Sequence, residues 1–171
     1  MKSFQVPITI EVDLAEVGSQ DDVIASLKQA AIAAAKHRGF TEGTVGLLIT
    51  DDETIHSINR EHLQHDYPTD VISFAYECAG THIEGELVAS LDTARREAKD
   101  AQWPPLHELL LYIVHGTLHI GGMDDQDDED QALMRLAERE VLATLGIQMP
   151  ALQNDAPNTL RESDSTSVNQ P

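Results

Sequence analysis

Several protein classes depend on residues that this chain has little of. The 171 residues include one cysteine, Cys78, so the chain can form no internal disulfide and no cysteine-rich metal site. No apolar run approaches the ~20 residues that a membrane-spanning helix needs, and no basic-then-apolar leader is present. We therefore expect a cytoplasmic protein with no membrane partner.

Positive charge is also scarce. The chain has 11 lysines and arginines against 30 acidic residues, which gives a formal net charge of −19, and aromatic residues make up 4%. Affinity for a phosphate backbone comes mostly from lysine and arginine, so this composition counts against binding nucleic acid by the whole surface. The acidic run at 127–130 is interpreted as a solvated helix start, where negative side chains are favoured.

The length of 171 residues suits one domain with a proper core and is too short for two, so we predict a single domain over residues 1–149. Residues 150–171 are rich in Asn, Ser, Thr, Asp and Pro and have few large apolar side chains, so we expect a disordered C-terminal tail. The predicted element order is β-α-β-α-β-β-α-α-α. This order indicates an α+β fold with a small mixed β-sheet packed with helices.

Local patterns predict how the first elements begin. Residues 4–12 alternate and favour β-branched types, which predicts one strand, and Pro7 suggests that it lies at a sheet edge. The first helix is expected to open with Asp21 or Asp22. Thr50 and Glu53 have the spacing of a capping box for the second helix.

The two last helices carry the largest apolar stripes. A helix beginning at about Leu106 is predicted to be central and buried, because apolar residues surround it. The final helix is expected from about Asp128 to Leu145. Its predicted core-facing residues are Leu133, Leu136, Ala137, Glu140, Val141 and Leu145.

The most informative stretch lies at the end of the central helix. His115 and His119 are four residues apart, so both side chains leave the same helical face and suit one metal ion. Gly122 can take the positive φ that ends a helix, and the returning chain carries Asp125 toward the same point. The pattern H-x-x-x-H-x-x-G-x-x-D thus predicts three metal ligands, with a fourth position open for water or substrate as in catalytic zinc sites.

Two other readings of this stretch exist. Helical zinc proteases carry their general base, a glutamate, directly after the first histidine, and this chain has Gly116 there. A peptidase would therefore need its base elsewhere. Alternatively, the two histidines are hydrogen-bonded residues of a buried helix that binds no metal.

The stretch resembles the metal signature of the YbeY-type rRNA-maturation endoribonucleases, H-G-x-L-H-L-x-G-Y-D-H. It departs at the last position, where the family usually has a third histidine and this chain has Asp125. A carboxylate also binds zinc, although it makes the site more negative and the metal a weaker Lewis acid. The matching positions are His115, Gly116, Leu118, His119, Gly122 and Asp124.

Other segments resemble the same family. Many members have an arginine at the position of Leu63, and Glu86 stands where the family has aspartate. Met134, Glu138, Leu142 and Leu145-Gly146 resemble its closing helix. A second signature is matched at Asn59, Asp66, Pro68, Thr69, Asp70, Val71, Ser73 and Phe74.

This resemblance implies a single-strand-specific metallo-endoribonuclease. Such an enzyme acts in small-subunit rRNA 3′-end maturation and late-stage ribosome quality control, so the implied partners are single-stranded rRNA and the small ribosomal subunit, with no DNA expected. The resemblance further implies a zincin-like site with one Zn²⁺ per chain, held by His115, His119 and Asp125. Two imidazoles and a carboxylate also suit iron, nickel or manganese.

Several further residues are candidates for supporting roles. His62, His65 and Asp70 are interpreted either as groups near the metal or the RNA, or as ordinary surface side chains. Arg95, Arg96 and Lys99 are candidate RNA contacts, or else a solvated helix face balanced by nearby acids. Two other functions are carried forward: a metal-dependent hydrolase of another substrate such as peptide, and a non-catalytic ribosome-assembly factor with a weakened site.

Overall fold

Five strands form one mixed sheet, and five helices pack on its two faces. The computed structural model describes residues 3–63 and 69–150. The predicted tail therefore falls, apart from Pro150, outside the described residues. The elements, in chain order, are β1 (Phe4–Gln5), β2 (Ile8–Ile10), α1 (Gln20–His37), β3 (Glu42–Thr50), α2 (Asp52–Leu63), β4 (Val71–Ala79), β5 (His82–Ser90), α3 (Leu91–Ala101), α4 (Pro105–Ile120) and α5 (Asp128–Thr144).

The sheet has the order β1-β3-β5-β4, and β2 pairs with β3 further along the same edge as β1. All pairs are parallel except β4 with β5, which is antiparallel, so the predicted small mixed sheet is confirmed. The single first strand that we predicted is wrong. Pro7 separates two short strands because a proline has no N–H to donate, although its carbonyl still accepts from the amide of Leu47 at 2.9 Å.

The two faces of the sheet are covered differently. On one face, α1, α4 and α5 pack over inward-facing strand residues such as Leu47 and Leu87 to form the main core. On the other face, α2 covers a smaller cluster that contains Ile55, Ile72 and Val88. The helix α4 lies at the centre of the main core, as predicted. None of the helices within the described ranges is both long and apolar enough to cross a membrane.

Asp21 and Asp22 lie in the first turn of α1, near its start as predicted, but neither of them caps the helix. The residue that caps α1 is Ser19, whose hydroxyl accepts from the amide of Asp22 at 3.3 Å. The residue that caps α2 is Asp51, whose carboxylate accepts from the amide of Thr54 at 2.8 Å. The predicted capping box fails because Thr50 is still part of β3, and its hydroxyl donates to Glu11 across the sheet at 3.4 Å.

The predicted core face of α5 is confirmed at Ala137, Val141 and Leu145, but the other three predicted residues are exposed. Leu133 and Leu136 are each 52% exposed, and Glu140 is exposed as well. The helix is rotated so that Glu138, and not the predicted Glu140, lies on its buried face. The buried residues of α5 are Met134, Ala137, Glu138, Val141 and Leu142.

Candidate metal centre

The end of α4 holds two imidazole rings beside each other. The ring centroids of His115 and His119 lie 4.6 Å apart, with the ring planes at 80°. The helix then closes with two backbone hydrogen bonds, from Met123 to Leu118 at 3.0 Å and from Gly122 to His119 at 2.9 Å. This closure requires a left-handed residue, and Gly122 has a φ of 101°, as predicted.

The turn after α4 returns Asp125 to both rings. Its Oδ2 atom lies 3.4 Å from Nε2 of His115 and 3.3 Å from Nε2 of His119. One ligand atom from each residue therefore lies within 4.8 Å of the others. A tetrahedral zinc ion with bonds of about 2.0–2.1 Å separates neighbouring ligand atoms by roughly 3.3 Å. These three side chains have donor types that zinc accepts, and the two distances to Asp125 match this separation.

The other nitrogen of each ring has its own partner. Nδ1 of His119 donates to the carbonyl oxygen of Met123 at 2.9 Å, and Nδ1 of His115 donates to Oε2 of Glu138 at 2.5 Å. Each contact places the ring proton on Nδ1 and leaves Nε2 with a lone pair toward Asp125. Metal-binding histidines usually have such a partner for the nitrogen that does not bind the ion.

The site is partly open and strongly negative. The side chains of His115, His119 and Asp125 are 26%, 25% and 37% exposed, so solvent reaches the point where they meet. Burial acts to lower the pKa of His115, but the hydrogen bond and charge of Glu138, together with the charge of Asp125, raise it overall. A site that attracts a proton in this way also attracts a cation, which can replace that proton.

The chain matches a known protein family over most of its length. Residues 8–146 match the family model described as Endoribonuclease YbeY. The chain belongs to the YbeY family. The resemblance inferred from the two motifs is therefore confirmed.

Individual YbeY relatives are similar over most of the chain. The Endoribonuclease YbeY of Rhodopirellula baltica is 55% identical over 141 residues, which cover 81% of this chain and 72% of that protein. The Endoribonuclease YbeY of Phocaeicola vulgatus is 39% identical over 109 residues, covering 64% of this chain and 78% of that protein. The fold also resembles the solution structure of a Thermotoga maritima protein, with a TM-score of 0.55 at 20% identity, covering 82% and 91% of the two chains.

Of the proposed supporting residues that the structure describes, neither His62 nor Asp70 joins the group formed by the three candidate ligands. His62 is exposed on α2, on the other face of the sheet, and its ring lies edge-on to Phe74 with centroids 6.1 Å apart. Asp70 is exposed before β4 and accepts from the amide of Val71 at 2.7 Å, although its charge helps to raise the pKa of His115. Outside the described residues lie His65, Asp66, Pro68 and the side chain of Leu63.

Two of the three candidate RNA-binding cations are engaged within the fold. Arg95 donates to the carbonyl oxygens of Asp13 and Ala15 at 3.1 and 3.0 Å. Arg96 donates to the carboxylate of Asp52 at 2.7 Å. Lys99 is exposed on the same helix. The first two side chains therefore tie α3 to its neighbours, which is a role that the sequence alone did not indicate.

A second group of residues has the spacing of metal ligands, but its contacts are those of an ion-pair cluster. Ligand atoms of Glu77, His82 and Glu84 lie within 4.8 Å of one another on the hairpin of β4 and β5. Nε2 of His82 is 2.9 Å from Glu84, and this hydrogen bond raises the pKa of His82, with the charges of Glu77 and Glu42 adding to it. Glu77 is exposed, and the hydrogen bond between His82 and Glu84 accounts for the contact without a metal, so we interpret this group as an ion-pair cluster.

Proposed function

We propose that this chain is a zinc-dependent endoribonuclease that cleaves single-stranded rRNA. The observation that carries the proposal is the convergence of two imidazole Nε2 atoms on one carboxylate oxygen, at 3.4 and 3.3 Å, in a place that solvent reaches. Membership of the YbeY family, whose model is described as an endoribonuclease, supports RNA as the substrate.

Three residues of the site would bind the ion, and two other groups orient the imidazole rings. His115, His119 and Asp125 would hold the ion, while Glu138 and the carbonyl of Met123 keep the two rings in position. When bound, a divalent ion supplies a Lewis acid for the phosphoryl oxygen and makes water a stronger nucleophile at neutral pH. Asp125 replaces the usual third histidine of the family and adds one negative charge, so this chain should favour a divalent ion over a monovalent one.

The substrate is proposed to be a single strand because the three candidate ligands are partly open to solvent, where a phosphate of an unpaired strand can approach them. A net charge of −19 repels a long phosphate backbone, so binding has to depend on the ion and on a few local contacts. Few aromatic residues are available to stack bases, so sequence preference should be weak. We place this activity in the cytoplasm, in 3′-end maturation of small-subunit rRNA.

A cleavage assay with three substrates tests the proposal. Zinc-loaded protein is incubated with a labelled single-stranded rRNA fragment, with the same fragment annealed to its complement, and with casein. We expect cleavage of the single strand alone. His119→Ala should abolish cleavage, whereas His37→Ala, on the surface of α1, should cleave as the wild type does.

Each of the other outcomes favours a different function. Cleavage of casein would support the peptide hydrolase. Ribosome association without cleavage of any substrate would support the assembly factor. RNA cleavage that survives both His119→Ala and a chelator would contradict the proposed role of the metal.

A further inference from the structure

Glu138 is a buried carboxylate on a helix that otherwise contributes apolar side chains. Its side chain is 11% exposed, and its neighbours on the same face of α5 include Met134 and Leu142, which are 2% and 0% exposed. Burying a carboxylate is costly unless a hydrogen-bond partner compensates for the lost water. An apolar residue would satisfy the packing of α5 better, so the fold alone does not explain a glutamate here.

The partner of this carboxylate is a candidate metal ligand. Oε2 of Glu138 accepts from Nδ1 of His115 at 2.5 Å, across the contact between α5 and α4. This contact sets which nitrogen of His115 carries the proton and directs Nε2 toward Asp125. A charged acceptor also increases the electron density of the imidazole, which makes Nε2 a stronger donor to a metal.

The two rings are supported in different ways. The partner of His119 is the carbonyl oxygen of Met123, a neutral group that belongs to the same turn as the ligand. The partner of His115 is a carboxylate 23 residues away in the sequence. The strength of the site at His115 therefore depends on how α5 packs, whereas the orientation of His119 is set locally.

We propose that Glu138 is a positioning residue of the metal centre, which orients His115 and strengthens its bond to the ion. This inference rests on the proposed function in one respect, because it requires the site to bind a divalent metal. It assigns to α5 a part in metal binding that goes beyond covering the core.

Zinc affinity tests the proposal without any measurement of RNA cleavage. Zinc is titrated against a chromophoric chelator in the wild type, Glu138→Gln and Glu138→Ala, with circular dichroism to establish that each variant is folded. We expect Glu138→Gln to lose roughly 10- to 100-fold in zinc affinity, and Glu138→Ala to lose more, since glutamine keeps a neutral acceptor.

The matched control is Glu140→Gln, which removes the same charge from the same helix. Glu140 is exposed and bonds to His37 at 2.9 Å, away from the ligand group, so zinc affinity should stay within about twofold of the wild type. The proton on Nδ1 of His115 gives a second readout by NMR. In the zinc-loaded wild type it should resonate far downfield because of its charged acceptor, and in Glu138→Gln it should move upfield.

The outcomes separate this inference from the proposed function. Variants of Glu138 that lose thermal stability but bind zinc as the wild type does would show a purely structural role and overturn the inference. A wild type that binds zinc and depends on Glu138 for it, yet cleaves no RNA, would refute the proposed function alone. A wild type that binds no zinc would refute both.

Discussion

A Cβ atom at position 116 would lie 2.4 Å from Cδ2 of Leu87. The side chain of Leu87 therefore occupies the space beside Gly116, and this face of α4 points into the sheet and not toward the candidate ligands. Helical zinc proteases have their general base at this position of the motif. No glutamate fits between α4 and β5, which is a steric argument against a protease mechanism of that type.

Substituting Gly116 should destabilise the protein. We expect Gly116→Ala to lower the free energy of unfolding by about 1–3 kcal/mol, because the added methyl group has to displace Leu87 or shift α4. Urea denaturation gives this difference. The control is Gly46→Ala in β3, where the nearest atom to a new Cβ is 3.4 Å away and stability should change little. A Gly116→Ala protein as stable as the wild type would show that Leu87 or α4 can shift to make room for the methyl group at no cost in stability.

The third ligand is the position at which this chain differs from the usual motif of its family. We expect Asp125→Ala to lose more than roughly 100-fold in zinc affinity, because it removes a direct ligand. The loss of a supporting hydrogen bond costs at most about that much. Asp125→His should retain binding, since imidazole and carboxylate bind zinc at similar distances. Both are measured by chelator competition beside Asp128→Asn, an exposed acid of the α5 start. Equal zinc affinities for Asp125→Ala and the wild type would show that Asp125 is not a metal ligand.

The ligand triad could be predicted from the sequence because its geometry is local. Two histidines four apart share a helical face in any helix, and Gly122 sets the return of the chain within six residues of His119. Glu138 was not predicted as a site residue, because its contact with His115 depends on how α5 docks. Its sequence signals are a glutamate amid the apolar residues of the final helix and the resemblance of Glu138 to the closing helix of the YbeY family.

In the rest of the fold, too, features set by neighbouring residues could be predicted, and contacts between distant residues could not. Element order and the buried helix followed from periodicity, which reports local burial. The internal contacts of Arg95 and Arg96 could not be predicted, because their partners are 82 and 44 positions away. A basic cluster in a sequence looks the same whether its charges face solvent or hold two helices together.

Asp52 should stabilise the junction of α2 and α3 in a pH-dependent way. Burial acts to raise its pKa, but hydrogen bonds from Ser90, Arg96 and Thr93 outweigh that effect and lower it below the ordinary 3.8. A carboxylate with a lowered pKa in the folded state stabilises the protein above its ordinary pKa and loses that contribution as pH falls through the lower folded value. Urea unfolding should therefore show Asp52→Asn to be less stable than the wild type at neutral pH, with the difference shrinking in acid. A difference that stays constant down to acid pH would contradict this origin.

The last prediction concerns the ion-pair cluster of the β4–β5 hairpin. The hydrogen bond from His82 to Glu84 raises the pKa of His82 above 6.5; burial opposes this shift, and the charges of Glu77, Glu84 and Glu42 add to it. A histidine with a raised pKa stabilises the folded state fully below its ordinary pKa, and the contribution disappears as pH rises through the folded value. His82→Gln should therefore be less stable than the wild type at pH ~5.5 and nearly equal to it at pH ~9, with urea unfolding as the measurement.

The effect of added zinc on stability tests whether this cluster is instead a second metal site. If His82 is held as a protonated partner of the carboxylates, zinc should raise the unfolding temperature of the wild type and of His82→Gln by the same amount, since the ion binds elsewhere. Glu77 lies directly opposite Glu84 in the sheet, where like charges repel each other, so a positive charge on His82 would stabilise the pair. A His82→Gln protein that loses one bound zinc per chain, or whose stability deficit grows toward alkaline pH, would show that the imidazole is neutral and binds metal.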